Sequence, residues 1–140
     1  MRISKLASAL ISVSALAAPS LAQFPSLELL QPRGFQRGCE IELQLTGSAL
    51  NSARGILFDT DGLSLKEITA EGDRVTAHVI VADDCPLGLH SLRVRTATGL
   101  SNLRTFSVGA LEEVFEEEPN GTSPEAQPIK INSTINGVAD

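Results

Sequence analysis

Apolar and polar residues alternate with a period of two along much of this chain, in short stretches. Over residues 39–46 (CEIELQLT), Ile41, Leu43 and Leu45 fall on one side and Glu40, Glu42 and Gln44 on the other. Residues 74–81 repeat the pattern, with Val75, Ala77, Val79 and Val81 sharing a face. Such alternation marks a strand with one face buried and the other in water. The longest organised stretch, residues 85–108 (CPLGLHSLRVRTATGLSNLRTFSV), reads as a hairpin. Leu92 and Val94 point one way and Arg93 and Arg95 the other, and Leu103, Phe106 and Val108 return along them. Thr96-Ala97-Thr98-Gly99 supplies the turn, where Gly99 can take a positive φ. Leu103 is out of parity with Phe106 and Val108, which predicts a bulge near Arg104 or Thr105.

Weaker strand signals fill the intervals. Leu27, Leu29 and Leu30 fit an edge strand closed by Pro32. Residues 33–38 read as a glycine-bounded turn, and 56–58 and 63–68 as short strands separated by Asp61-Gly62. Six or seven short strands with turn signals between them, and no helical period, predict an all-β antiparallel sandwich.

Composition narrows this further. Without Trp or Tyr, the core has to be built from aliphatic side chains and five phenylalanines. Residues 1–22 read as a signal peptide: a basic start with Arg2 and Lys5, a short apolar run, and a small-residue cleavage site at Ser20-Leu21-Ala22. This predicts export, to the periplasm, the cell surface or the outside, and a chain free of the membrane after cleavage. The whole chain carries −6, and loss of the leader leaves 9 basic against 17 acidic residues, or −8. An acidic chain with no basic stripe argues against nucleic acid as a partner.

After Val108 the composition changes. Residues 111–118 (LEEVFEEE) hold five glutamates, and the Pro- and Gly-containing run that follows reads as the rest of an acidic linker over 110–124. Residues 128–131 and 134–138 look like two strands opening a further unit over 125–140, too few to be stable alone.

The span 27–108, within a domain drawn at 23–109, resembles the IPT/TIG group of immunoglobulin-like domains. The matching features are Pro32, Gly34, Gly38, the strand ending Leu45-Thr46-Gly47, and the PLGLHSLRV strand. The tail, from Glu116-Glu117-Glu118-Pro119-Asn120 to Gly137-Val138-Ala139-Asp140, resembles the opening of a bacterial pre-peptidase C-terminal (PPC) domain. Together they look like the start of a large secreted bacterial protein. The resemblance implies accessory modules rather than enzymes, with an extracellular protein or polysaccharide, or further domains of the same chain, as partners. It also implies candidate calcium ligands at Glu116, Glu118 and Asn120, with Asp140 a later contributor; hard cations take clustered oxygens of this kind.

Other candidate chemistry is sparse. Cys39 opens one strand and Cys85 follows the end of another, so in an immunoglobulin-like sandwich a disulfide is geometrically plausible; two separate thiols are the alternative. Arg93, Arg95 and Arg104 form a candidate basic patch for the acidic linker or an anionic polymer, against an ordinary exposed sheet face. Asp59-Thr60-Asp61-Gly62 fails as a calcium loop, because Leu57 and Ile68 fall where ligands are needed. His78 and His90 have no partner at ligand spacing, and no serine stands in a nucleophile motif. The expected function is a non-catalytic interaction or spacer module needing no cofactor. The alternatives are an accessory segment of a secreted peptidase or hydrolase, with its catalytic domain beyond Asp140, or a calcium-dependent polysaccharide-binding unit.

Overall fold

The computed structural model describes residues 23–137. The expected leader and Asp140 lie outside the described residues. Two four-stranded sheets form the sandwich. The first is antiparallel throughout and runs β1 (Ser26–Gln31), β3 (Glu40–Ser48), β6 (Arg74–Val81), β5 (Leu63–Glu71). The second runs β2 (Gly34–Gln36), β8 (Arg104–Gly109), β7 (Gly88–Arg95), β4 (Gly55–Phe58). The alternating stretches become β3 and β6, and their inward residues Leu43, Leu45, Val75, Ala77, Val79 and Val81 are fully buried. They meet Ile56, Leu92, Val94, Phe106 and Val108 from the other sheet. Each of these Leu, Val, Ile and Phe side chains stabilises the fold by about 1.5–3 kcal/mol relative to exposure.

The run 33–38 is more than a turn. Gly34–Gln36 forms β2, which pairs in parallel with β8. The cause is Phe35, which is fully buried and stacks on Phe106 with ring centroids 4.5 Å apart. In a core without Trp or Tyr, that aromatic contact outweighs the turn preference of the flanking glycines.

The hairpin is bulged slightly earlier than its parity suggested. Leu92 faces Arg104 whereas Arg95 pairs with Leu100, so the return strand carries one extra residue between them. There Ser101 turns inward, accepting the Val94 N–H on its hydroxyl at 2.9 Å and donating to the Asn102 carbonyl at 2.8 Å. Two further bulges interrupt β1, between Leu27 and Leu29, and β5, between Leu65 and Glu67. The first lets Leu27 and Leu30, of opposite parity, both face the core. A Cβ at Gly47 would overlap the Ser26 carbonyl, so glycine permits the close approach of β3 to the bulged strand.

That bulge exposes a backbone requirement which the other sheet meets. Asn102 accepts the Leu27 N–H at 2.6 Å and donates to the Leu27 carbonyl at 3.0 Å. Arg104 donates to the same carbonyl from Nε and Nη2, at 3.0 and 2.6 Å. Arg104 shares the parity of Phe106 and Val108, so its side chain starts on the inner face of the sheet. It does not join Arg93 and Arg95 on the outer face.

The two cysteines are unbridged. Cys39 lies at the β3 side of β6, with its carbonyl accepting the Val81 N–H. Cys85 turns back toward β5: its N–H binds the Ala82 carbonyl, and its Cα packs on Gly62. The strands β3 and β5 flank β6 on opposite sides. That separation is about two strand spacings, roughly 9–10 Å, beyond the ~7 Å reach of a disulfide. Burial raises both thiol pKa values, chiefly by desolvation, so both stay protonated at neutral pH.

The tail is more ordered than an acidic linker. Glu112–Phe115 forms β9 and Ser133–Asn136 forms β10, paired in parallel as a two-stranded ribbon. The expected strand at 128–131 is absent, and a 3-10 turn, Ser123–Glu125, lies in the connection.

Candidate functional site: a groove between sandwich and tail

Where the ribbon meets the sandwich it leaves a groove of about 880 Å³. One wall is the outer face of β1 and β3, carrying Leu29, Gln31, Glu42 and Gln44, with Pro32 and Arg33 at its end. The other is the ribbon: Phe115, Glu116, Glu118, Asn136 and Gly137. The volume falls within the usual range for ligand sites.

The first wall follows from the alternation. Leu43 and Leu45 must point into the core, so Glu42 and Gln44 point out, and the register sets Gln31 opposite Gln44. The second wall depends on Asn136. Its Oδ1 accepts the Gly34 N–H at 2.9 Å, its Nδ2 donates to Glu113 Oε2 at 2.6 Å, and its carbonyl accepts the Glu116 N–H at 3.0 Å. One residue thus latches β10 to β9 and both to β2. A Cβ at Gly34 would lie 3.1 Å from Asn136 Oδ1 and 3.1 Å from Glu113 Oε2, so a bare backbone suits the latch. Likewise a side chain at Gly137 would run into the Glu116 carboxylate. Burial raises the pKa of Glu113, and the Asn136 amide offsets this only in part.

Gln127 holds the groove rim straight. Its Nε2 donates to the Phe115 carbonyl at 3.0 Å and its Oε1 accepts the Glu117 N–H at 2.9 Å, so its amide stands in for a neighbouring strand. Phe115 keeps 58% of its surface in solvent. An exposed ring beside amides and carboxylates offers a flat apolar surface together with convergent donors and acceptors.

Glu116 and Glu118 both line this groove. Glu118 Oε2 accepts the Asn120 N–H at 2.9 Å, closing a local turn. Among the described residues, no three or more His, Cys, Asp or Glu side chains converge as metal ligands do. Arg93 and Arg95 point outward from β7, at the edge of the second sheet bordered by β4, while the ribbon is latched to β2 at the opposite edge. The acidic segment is therefore not docked on those arginines.

The histidines have local roles. His90 Nε2–H donates to the Pro86 carbonyl at 2.7 Å, and its Nδ1 lies 3.8 Å from Asp59. The Asp59 carboxylate accepts the Ser91 N–H at 2.9 Å and the Ser91 hydroxyl at 2.7 Å. These bonds, the backbone one first, lower the Asp59 pKa. The Ser91 hydroxyl thus donates to the carboxylate and not to the imidazole, an arrangement that does not activate a serine. His78 lies 3.9 Å from Glu40, which also holds Lys66 at 2.8 Å on the exposed outer face.

No protein-family model matches the chain, and no curated protein matches it. Several solved structures do. One is the SGBP-B protein of the Bacteroides ovatus mixed-linkage glucan utilization locus, solved in complex with a mixed-linkage heptasaccharide. It has a TM-score of 0.48 and 19% identity over 69% of this chain and 25% of that one. Another is the filamin domain of Lin-41, with a TM-score of 0.43 and 9% identity over 64% of this chain and 96% of that one. A third is the SrpA adhesin of Streptococcus sanguinis, with a TM-score of 0.40 and 18% identity over 66% and 59%. The chain spans about a quarter of the first protein's length.

Proposed function

We propose that this chain is a non-catalytic interaction module of an exported protein, and that the groove between the sandwich and the ribbon takes a segment of polysaccharide. The observation that carries this reading is the lining of the groove. Gln31 and Gln44 offer amides, Glu42, Glu116 and Glu118 offer carboxylates, and Phe115 offers an exposed ring. Sugar hydroxyls both donate and accept, so they match amides and carboxylates together, and the apolar face of a pyranose fits an aromatic ring. The resemblance of the two segments to IPT/TIG and PPC units supports the same frame, an accessory part of a larger secreted protein. A spacer role ahead of a downstream domain is compatible with it.

The test is a titration of the isotopically labelled chain with soluble cello- and chito-oligosaccharides, read by amide and side-chain NMR shifts. The expected result is saturable shifts at Gln31, Gln44 and Phe115, weakened in Phe115→Ala. Shifts confined to the second sheet, or none with either sugar class, would remove the reading.

A further inference from the structure

The residue that latches the ribbon is followed by glycine, and the chain holds that pair twice, as Asn120-Gly121 and Asn136-Gly137. In such a pair the glycine, lacking Cβ, leaves its amide nitrogen open to approach by the asparagine side chain. That nitrogen bonds to the asparagine Cγ and gives up its proton. The Cγ–Nδ2 bond breaks, and Nδ2 leaves with that proton as ammonia. Water then opens the cyclic imide at either carbonyl, giving aspartate, or isoaspartate with the main chain running through Cγ. An amide and a water become a carboxylic acid and ammonia, with no oxidant or reductant.

The two pairs stand in different settings. Asn120 rests its backbone N–H on Glu118 Oε2, and its side-chain amide makes no hydrogen bond among the described residues. The Asn136 amide is held at both ends: Oδ1 accepts the Gly34 N–H at 2.9 Å, and Nδ2 donates to Glu113 Oε2 at 2.6 Å. Its own carbonyl accepts the Glu116 N–H at 3.0 Å, which fixes the backbone between Cγ and the Gly137 nitrogen. To reach that nitrogen, Cγ has to swing out of the latch. Ring closure therefore waits for a local opening of the ribbon.

Glu113 sets the consequence. An oxygen in place of Nδ2 would bring a carboxylate against the Glu113 carboxylate, where a donor stood. Two carboxylates sharing one site do not both ionise, so the closed latch would have to hold a proton. Glu113 is partly buried, and Glu116, against Gly137, is a further acid beside the latch. The Cys39 thiol also senses Glu113 but stays protonated at neutral pH. We propose that Asn136-Gly137 is a one-way release site: deamidation of Asn136, reached when the ribbon opens, leaves a carboxylate that Glu113 keeps from docking again. The latch is lost this way whatever the groove takes.

Ageing the purified chain at mildly alkaline pH, with mass mapping of both sites, tests the guarding. Asn120 should convert as fast in the folded chain as in the denatured one. Asn136 should convert about tenfold or more slowly when folded, the scale of the hydrogen bonds that must open. The effect of the product is tested by Asn136→Asp. Protection of the Gly34 amide from hydrogen exchange should fall about tenfold or more at neutral pH and return in acid, as the carboxylate pair takes up a proton. Glu113→Gln/Asn136→Asp sets an amide against a carboxylate again and should restore the protection at neutral pH. Circular dichroism should show the sandwich unchanged in both variants. Equal Asn136 rates in folded and denatured chains, full Gly34 protection in Asn136→Asp at neutral pH, or no rescue by the double variant would overturn the proposal.

Discussion

The sandwich and the ribbon are both all-β, yet different forces hold them. In the sandwich, strands of up to nine residues close over a core of aliphatic and phenylalanine side chains, many with no exposed surface. From 110 to 137, no described residue is buried; Asn136 latches the ribbon to Gly34 of β2, and Gln127 braces the tail from within. Hydrophobic burial is non-directional and sums over many residues, whereas a hydrogen-bonded latch depends on a few atoms. The sandwich should therefore fail globally and expensively, the ribbon locally and cheaply.

Damage to the core should take both regions down together. Phe106→Ala removes the ring that Phe35 stacks on and Phe58 meets edge-on. A loss of about 3–5 kcal/mol is expected in denaturant unfolding. The ribbon should melt in the same transition, since its anchor Gly34 belongs to β2. A ribbon that kept its protection after the sandwich unfolded would show that it folds independently of β2. Next comes the polar brace inside the sandwich: Asn102→Ala should cost about 1–3 kcal/mol, because it leaves the Leu27 N–H of the β1 bulge without its partner.

Asn136→Ala should act on the ribbon alone. We expect faster hydrogen exchange at the Gly34 and Glu116 amides, a local loss of about 1 kcal/mol, and an unfolding midpoint for the sandwich that barely moves. A large shift of that midpoint would mean that the ribbon belongs to the core after all.

The smallest effect is in pH, and its sign differs between the regions. The folded Asp59 pKa is depressed below 3.8, so its contribution to the sandwich is present above that value and is lost as pH falls through the folded value. The folded Glu113 pKa is raised above 4.5, so its contribution to the latch is complete below 4.5 and is lost as pH rises through the folded value. In an NMR titration, Ser91 should respond at the acid end and Gly34 at higher pH. The reverse order would contradict hydrogen bonding at Asp59 and desolvation at Glu113 as the dominant influences.

How much of this was legible in the sequence divides along the same line. Alternation at 39–46 and 74–81 announced β3 and β6, because a one-face-buried strand has to show it. Phe35 lay inside a glycine-rich run whose turn signal hid a strand, since only the three-dimensional stack with Phe106 rewards it. The arginines at 93, 95 and 104 looked like one patch. The extra residue at 100–104 gives Arg104 the inward parity of Phe106, and a bulged backbone 77 residues away claims its guanidinium. Glu42 and Gln44 could be read as outward-facing, but no local pattern marks Asn136 or Gln127 as the residues that make the opposite wall. Their partners are remote in sequence or are backbone atoms, and neither leaves a trace in composition.

If the groove takes saccharide as proposed, it does so only while the Asn136 latch holds the ribbon against the sandwich. Calorimetric titration of a chito-oligosaccharide into the native chain and into Asn136→Ala decides this, with circular dichroism confirming that both sandwiches are folded. Saturable binding in the native chain that is lost in the variant is predicted. Equal binding in both, with the sandwich intact, would contradict it.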